Sequence, residues 1–113
     1  MCTRSELSTI LDELAKSYRK TYGSNLQRII LYGSYARGDY REDSDIDVAA
    51  IVRGSRRELQ DELKKVWDTS HDLGLEYGII VSPTVIPYDE YEELKDDLPY
   101  YRNIELEGVV VNG

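Results

Sequence analysis

Two short groups of residues could do chemistry together. Gly33-Ser34 closes an apolar run and opens a polar stretch, and ten residues later comes Asp45-Ile46-Asp47. With no side chain at Gly33, backbone N–H groups can approach a phosphate closely, and the Ser34 hydroxyl adds a donor. Asp45 and Asp47 stand at the start of a second apolar run. On a strand, both carboxylates lie on one face, with their Cα atoms about 6.5–7 Å apart at ~3.3 Å of rise per residue. Carboxylates so placed can jointly hold one or two Mg²⁺ ions, hard cations that take oxygen ligands and keep some waters. A phosphate cradle beside a magnesium site is the minimum equipment for nucleotidyl or phosphoryl transfer.

Ordinary turn chemistry accounts for part of this segment, since Asp43-Ser44-Asp45 would suit any loop. Asp47 is different. It sits at the mouth of an Ile/Val/Ala run, where a stray carboxylate is costly to desolvate. A calcium loop over Asp43, Asp45 and Asp47 fails on its own pattern. Its sixth position would be Val48 instead of Gly and its twelfth Gly54 instead of Glu.

The rest of the chain must position these groups. Its 113 residues correspond to one domain, residues 1–113, with no room for a second, substrate-holding lobe. Twenty-two acidic against 14 basic residues give a net charge of −8. That balance argues against autonomous binding to duplex nucleic acid, which needs clustered Lys and Arg. The single cysteine, Cys2, cannot form an internal disulfide, and one histidine, His71, cannot build a His-based catalytic cluster. Neither a signal-peptide run nor a membrane span is visible, so a cytoplasmic protein without membrane association is expected. Ten tyrosines and no phenylalanine point to a small, half-exposed core with hydroxyls reaching water.

Helical spacing follows the capping box Thr3-x-x-Glu6 (Leu7, Ile10, Leu11, Leu14, Tyr18) and again Ser55-x-x-Glu58. The second of these helices carries Leu59, Leu63, Val66, Trp67 and Ser70 on one face and is expected to stop at Gly74. Strands are expected at Leu26–Tyr32, Ile46–Val52 and Leu75–Ile86, the last placed at an edge or a bulge by Pro83. A helical turn can start at Ser34. Short helices are expected over Tyr88–Leu98 and Tyr100–Glu107, with a final strand at Val109–Val111. About ten residues between the first two strands is short for a parallel crossover, which argues for an antiparallel or mixed pair. The sum is an α/β fold, a small mixed sheet packed by helices on one face.

Gly33-Ser34, ten residues and Asp45-x-Asp47 resemble the signature of the DNA polymerase beta nucleotidyltransferase superfamily. By its length the chain resembles the minimal nucleotidyltransferase (MNT) branch. The context agrees: apolar strands on both sides, Ala36-Arg37-Gly38 in the spacer and Ser44 before the acidic pair. The resemblance implies the polymerase beta-like palm fold, ATP as substrate, Mg²⁺ as cofactor and transfer of a nucleotide, AMP from ATP, to an acceptor. Carried over residue by residue, Gly33 and Ser34 would hold the triphosphate, with Arg37 able to reach a phosphate bidentately. Asp45 and Asp47 would bind metal and carry catalysis. Many MNT proteins pair with a helical HEPN-domain protein, in several cases as an antitoxin-like partner in a toxin–antitoxin module. A partner of that type is therefore what the resemblance implies.

One departure matters. The superfamily commonly places a third carboxylate on a neighbouring strand, and here the expected third strand holds only Glu76, at its entrance. Either Glu76 is the third metal ligand, an acid comes from elsewhere, or the ligand is missing. Two other functions therefore stand beside the enzyme: a nucleotidyltransferase-fold module that neutralises its partner by docking, and a subunit of a small-molecule nucleotidyltransferase. Other candidates carry less. His71 suits a surface role near a helix end, Cys2 lies beside the terminus, and Arg53, Arg56 and Arg57 form a small basic spot that suits solvated charge.

Overall fold

A computed structural model describes residues 2–111. The chain runs α1 (Arg4–Tyr22), β1 (Leu26–Tyr32), α2 (Ser34–Arg37), β2 (Ile46–Val52), α3 (Arg56–Tyr77), β3 (Val81–Pro87), α4 (Tyr88–Leu94), α5 (Pro99–Glu107) and β4 (Val109–Val110). Caps written in the sequence start the long helices. The Thr3 hydroxyl accepts from the Glu6 N–H while Glu6 accepts from the Thr3 N–H, closing the box at α1. At α3 the Ser55 hydroxyl accepts from the Glu58 N–H.

The four strands lie in the order β3-β2-β1-β4. β1 is antiparallel to β2 and to β4, whereas β2 and β3 are parallel. The antiparallel β1–β2 pair agrees with the short connection between those strands, and the parallel β2–β3 pair makes the sheet mixed. β3 is an edge strand and carries Pro83. The Ile46 N–H donates to the Ile80 carbonyl, so the even-numbered residues of β3 turn their backbone groups to β2. Pro83 and Pro87 fall on the outward positions, where a missing N–H breaks no bond of the sheet.

Alternation along β2 divides the core. Ile46, Val48, Ala50 and Val52 pack with Ile29, Leu31, Val81 and Val85 beneath α1 and α3. Ala49 and Ile51 face the opposite way, into a smaller cluster with Ile30, Ile86, Tyr91, Tyr101 and Ile104 under α4 and α5. The expectation of helices on one face alone is corrected here. The last two helices cover part of the second face and leave the rest, around Asp47, uncovered.

Three further expectations change. Helix α3 runs past Gly74 to Tyr77 and ends on Gly78, which adopts the left-handed conformation that glycine favours. The expected strand therefore begins only at Val81, losing Leu75, Glu76 and Tyr77 to the helix and residues 78–80 to the connection. Trp67 does not share the buried face of α3 and is 46% exposed. It falls one position beyond Val66, and 100° of helical rotation carries it off the stripe. The tyrosines do not turn their hydroxyls to water as a class. Tyr18, fully buried, donates to the Thr84 carbonyl at 2.8 Å, and Tyr22 donates to the Leu59 carbonyl at 2.7 Å. Burial holds the Tyr18 phenol well above its usual range, so it stays a neutral donor. A phenylalanine in its place would leave that bond unmade.

Candidate active site

The site is built where β1 ends and β2 begins. The chain leaves β1 at Tyr32 and turns at Gly33 (φ 78°, ψ −156°), a conformation essentially reserved for glycine. One helical turn follows. The N–H groups of Ala36 and Arg37 both donate to the Gly33 carbonyl at 3.1 Å, and Gly38 ends the turn in the left-handed region. Stacking of Tyr35 on Tyr40, 4.4 Å apart and 5° from parallel, braces the turn against the loop beyond. That loop closes through Ser44, whose hydroxyl accepts from the Arg41 N–H at 2.8 Å. It thereby delivers Asp45 to the start of β2.

Asp47 lies across the sheet from Tyr32, and its carboxylate is packed on the turn. A Cβ built on Gly33 would stand 2.5 Å from Asp47 Oδ2. The absence of a side chain at Gly33 thus serves the carboxylate as well as the backbone conformation. Asp47 is half-buried, and its carboxyl is held above the ordinary range, first by desolvation and then by the negative charge of Asp45, with Arg37 opposing both. Asp45, Asp47 and the Gly33 turn are therefore together, an arrangement that the ten-residue spacing allows. Arg37 is close enough for its charge to act on Asp47. Its guanidinium bonds to Asp39 at 3.3 Å and to Glu107, at the end of α5, at 3.4 Å.

Glu76 does not join this group. It is exposed on the last turn of α3, where its charge acts on Tyr77 together with those of Glu6 and Glu13. The β3 residue level with Asp47 is Ser82. Among the described residues no group of three or more His, Cys, Asp or Glu side chains is gathered as a metal centre. The site holds a pair of carboxylates, and a pair fits Mg²⁺ that also ligates substrate phosphates, a common arrangement for this ion. Replacing Glu76 by Gln is expected to change stability by less than about 0.5 kcal/mol, as for an exposed side chain with no special contact, and to leave Mg²⁺-dependent ATP binding unaltered. Thermal melts and calorimetry check both.

Sequence reasoning passed over three residues beside the site. Tyr32 adjoins Gly33, and its position alone could have drawn attention to it. Tyr100 bonds to Tyr32 through the two hydroxyls, 2.7 Å apart, and Glu107 holds Arg37. Both come from α5, so no local signal connects them to the motif. The basic spot is partly engaged elsewhere: Arg56 pairs with Glu90 and Tyr101, and Arg53 lies over the Tyr88 ring at 4.6 Å.

A mixed sheet with a glycine–serine turn packed on Asp47, beside Asp45, is the arrangement of a nucleotidyltransferase, and the chain belongs to the nucleotidyltransferase domain family, whose model matches residues 8–111. The resemblance to minimal nucleotidyltransferases holds with it. Two relatives from Methanocaldococcus jannaschii each carry the name "Putative protein adenylyltransferase". One is 32% identical over 101 residues, covering 89% of this chain and 93% of the relative. The other is 36% identical over 80 residues, covering 71% and 79%. In fold, the chain is similar to a crystal structure described as a toxin–antitoxin with AMP-PNP, with a TM-score of 0.56 and 20% identity over 91% of this chain and 73% of that one. Among the described residues, no helix is long and apolar enough to cross a membrane.

Proposed function

We propose that the chain transfers AMP from ATP, with Mg²⁺, to a hydroxyl of a partner protein, and that the partner is a helical protein of the HEPN type in a toxin–antitoxin-like pair. The observation that carries the reading is the seating of the Asp47 carboxylate against Gly33, beside Asp45. Metal and triphosphate ligands then share one small volume. Gly33 and Ser34 receive the triphosphate, Asp45 and Asp47 hold the metal, and Arg37 exchanges Asp39 and Glu107 for a phosphate oxygen. A Mg²⁺ ion bound there supplies positive charge to phosphate oxygens as the transition state develops. The acceptor oxygen forms a bond to the α-phosphorus, the bond to the bridging oxygen of pyrophosphate breaks, and the hydroxyl proton passes to solvent. Relatives named for protein adenylylation support a protein acceptor, and so does the likeness in fold to a toxin–antitoxin protein crystallised with AMP-PNP.

The position of Glu76 favours a second reading. A site with two carboxylates and, among the described residues, no third acid gathered with them as a metal ligand suits a module that docks on its partner without rapid chemistry. Incubation of the chain with ATP, Mg²⁺ and a HEPN-type helical protein from the same organism, read by intact mass spectrometry, separates the two. The expected result is a partner heavier by one or more AMP groups. A tight complex with no gain in mass would instead establish docking alone.

A further inference from the structure

The uncovered part of the sheet's second face carries an aromatic pair beside the carboxylates. Tyr32 is the last residue of β1, lies across from Asp47 and directly precedes Gly33. Tyr100 reaches it from the first turn of α5. Their rings meet edge to face, with centroids 5.9 Å apart and planes at 79°, and their hydroxyls are hydrogen-bonded. On another side the Tyr100 ring touches that of buried Tyr101, centroids 5.7 Å apart. Tyr100 is thus held by two neighbours and is still 46% exposed. A ring fixed by its surroundings but open to solvent is preorganised for a flat ligand, because little rotamer freedom remains to be lost on binding.

A nucleotide whose phosphates lie between the Gly33-Ser34 turn and the aspartates must rest its base within a ribose's reach of the α-phosphate. Beyond Asp47 on this face the sheet is filled by Ile30, Ala49 and Ile51 beneath α4 and α5, so no base can enter there. Tyr100 stands at the border of that cluster, and nearly half of its surface is open to solvent. We infer that Tyr100, steadied by Tyr32, is a nucleobase subsite on which the base of the bound nucleoside triphosphate stacks. The subsite rests on the nucleotidyltransferase reading of the aspartates and adds the residue that holds the base. It reads a π-face and not a hydrogen-bonding edge, so it accepts nucleoside triphosphates by stacking strength, which favours the larger rings of purines over pyrimidines.

Calorimetry in Mg²⁺ with two probes, ATP and inorganic tripolyphosphate, tests it on the wild type, Tyr100→Ala and Tyr100→Phe. Loss of a stacking platform is expected to weaken ATP about tenfold or more in Tyr100→Ala. Tripolyphosphate, which has no base, keeps its affinity in that variant, and Tyr100→Phe keeps the affinity for both probes. Tyr100→Leu preserves apolar volume at the first turn of α5 without a π-face and should match the alanine variant, which guards against a folding defect in the latter. Equal ATP affinity in the wild type and both ring-less variants overturns the subsite alone. Equal weakening of ATP and tripolyphosphate overturns it too, because Tyr100 would then act through the phosphate turn. A loss seen in Tyr40→Ala but not in Tyr100→Ala places the base on the Tyr35–Tyr40 stack. Absence of ATP binding by the wild type overturns the nucleotide reading itself, and the subsite with it.

Discussion

Asp47→Asn is expected to abolish Mg²⁺-dependent ATP binding at working concentrations and to slow nucleotide transfer severely while leaving the fold intact. The carboxylate is half-buried, packed on Gly33 and close to Asp45. Its ionised form is disfavoured by desolvation and by its acidic neighbour, so without a cation the charge opposes folding. A carboxyl whose folded-state pKa is raised contributes destabilisation that grows as pH rises through the acidic range, and the amide removes it. The apo protein should therefore melt at an unchanged or slightly higher temperature. With the metal the balance reverses. Removing a carboxylate from the metal site is expected to withdraw several kcal/mol of transition-state stabilisation, or about a thousandfold in rate at ~1.4 kcal/mol per tenfold. Asp45→Asn should behave alike. Calorimetry with ATP and Mg²⁺, a thermal melt and transfer to the partner measure the three quantities. Wild-type ATP affinity in both variants would reduce the aspartates to a turn.

Gly33→Ala carries the second large effect, from two causes that a control can separate. At φ 78° and ψ −156° a side chain is strained by about 1–3 kcal/mol. The new methyl would also stand 2.5 Å from Asp47 Oδ2, so the carboxylate must leave its position. Loss of stability and loss of Mg²⁺-dependent ATP binding are both expected. Gly38→Ala provides the control. Gly38 also has positive φ, 87°, but nothing lies within 4 Å of its added Cβ. Its left-handed conformation should cost about 1–2 kcal/mol and leave nucleotide affinity unchanged. Denaturant melts and calorimetry on the pair distinguish strain from collision. If Gly33→Ala binds ATP as well as Gly38→Ala does, the close packing of Asp47 on the turn has no part in binding.

Much of this molecule is legible without coordinates. The strands Leu26–Tyr32 and Ile46–Val52 coincide with their apolar runs, because a buried strand must be apolar on both faces over a short length. Thr3 and Ser55 cap helices through hydroxyls whose effect is local. The Gly33-Ser34 and Asp45-x-Asp47 groups are likewise legible from type and spacing, since ten residues are enough to fold back and bring the turn beside the next strand. Failures arise where local signals compete or no local signal exists. Gly74 reads as a stop, but the helix continues three residues to Tyr77. There α3 packs along β3, and a Cβ on Gly74 would meet the Ile79 carbonyl at 2.7 Å. That glycine serves close packing and not termination. Moving the helix end from Gly74 to Tyr77 also moves Glu76 from a strand entrance to an exposed helix face, which decides against it as a partner of the aspartates.

Composition and spacing by themselves determined the class of chemistry: a phosphate turn, paired carboxylates and the strands that carry them. Tertiary structure alone decided which other residues stand beside them. Tyr100 lies 68 residues from Tyr32 and Glu107 lies 70 from Arg37, and each contact depends on where α5 docks on the sheet. Docking is set by apolar burial of Ile104 and Tyr101 against Ile30 and Ile51, a force proportional to area and without direction. Such a force leaves an apolar pattern along the chain, but it does not record which polar groups at the margin of the contact will meet.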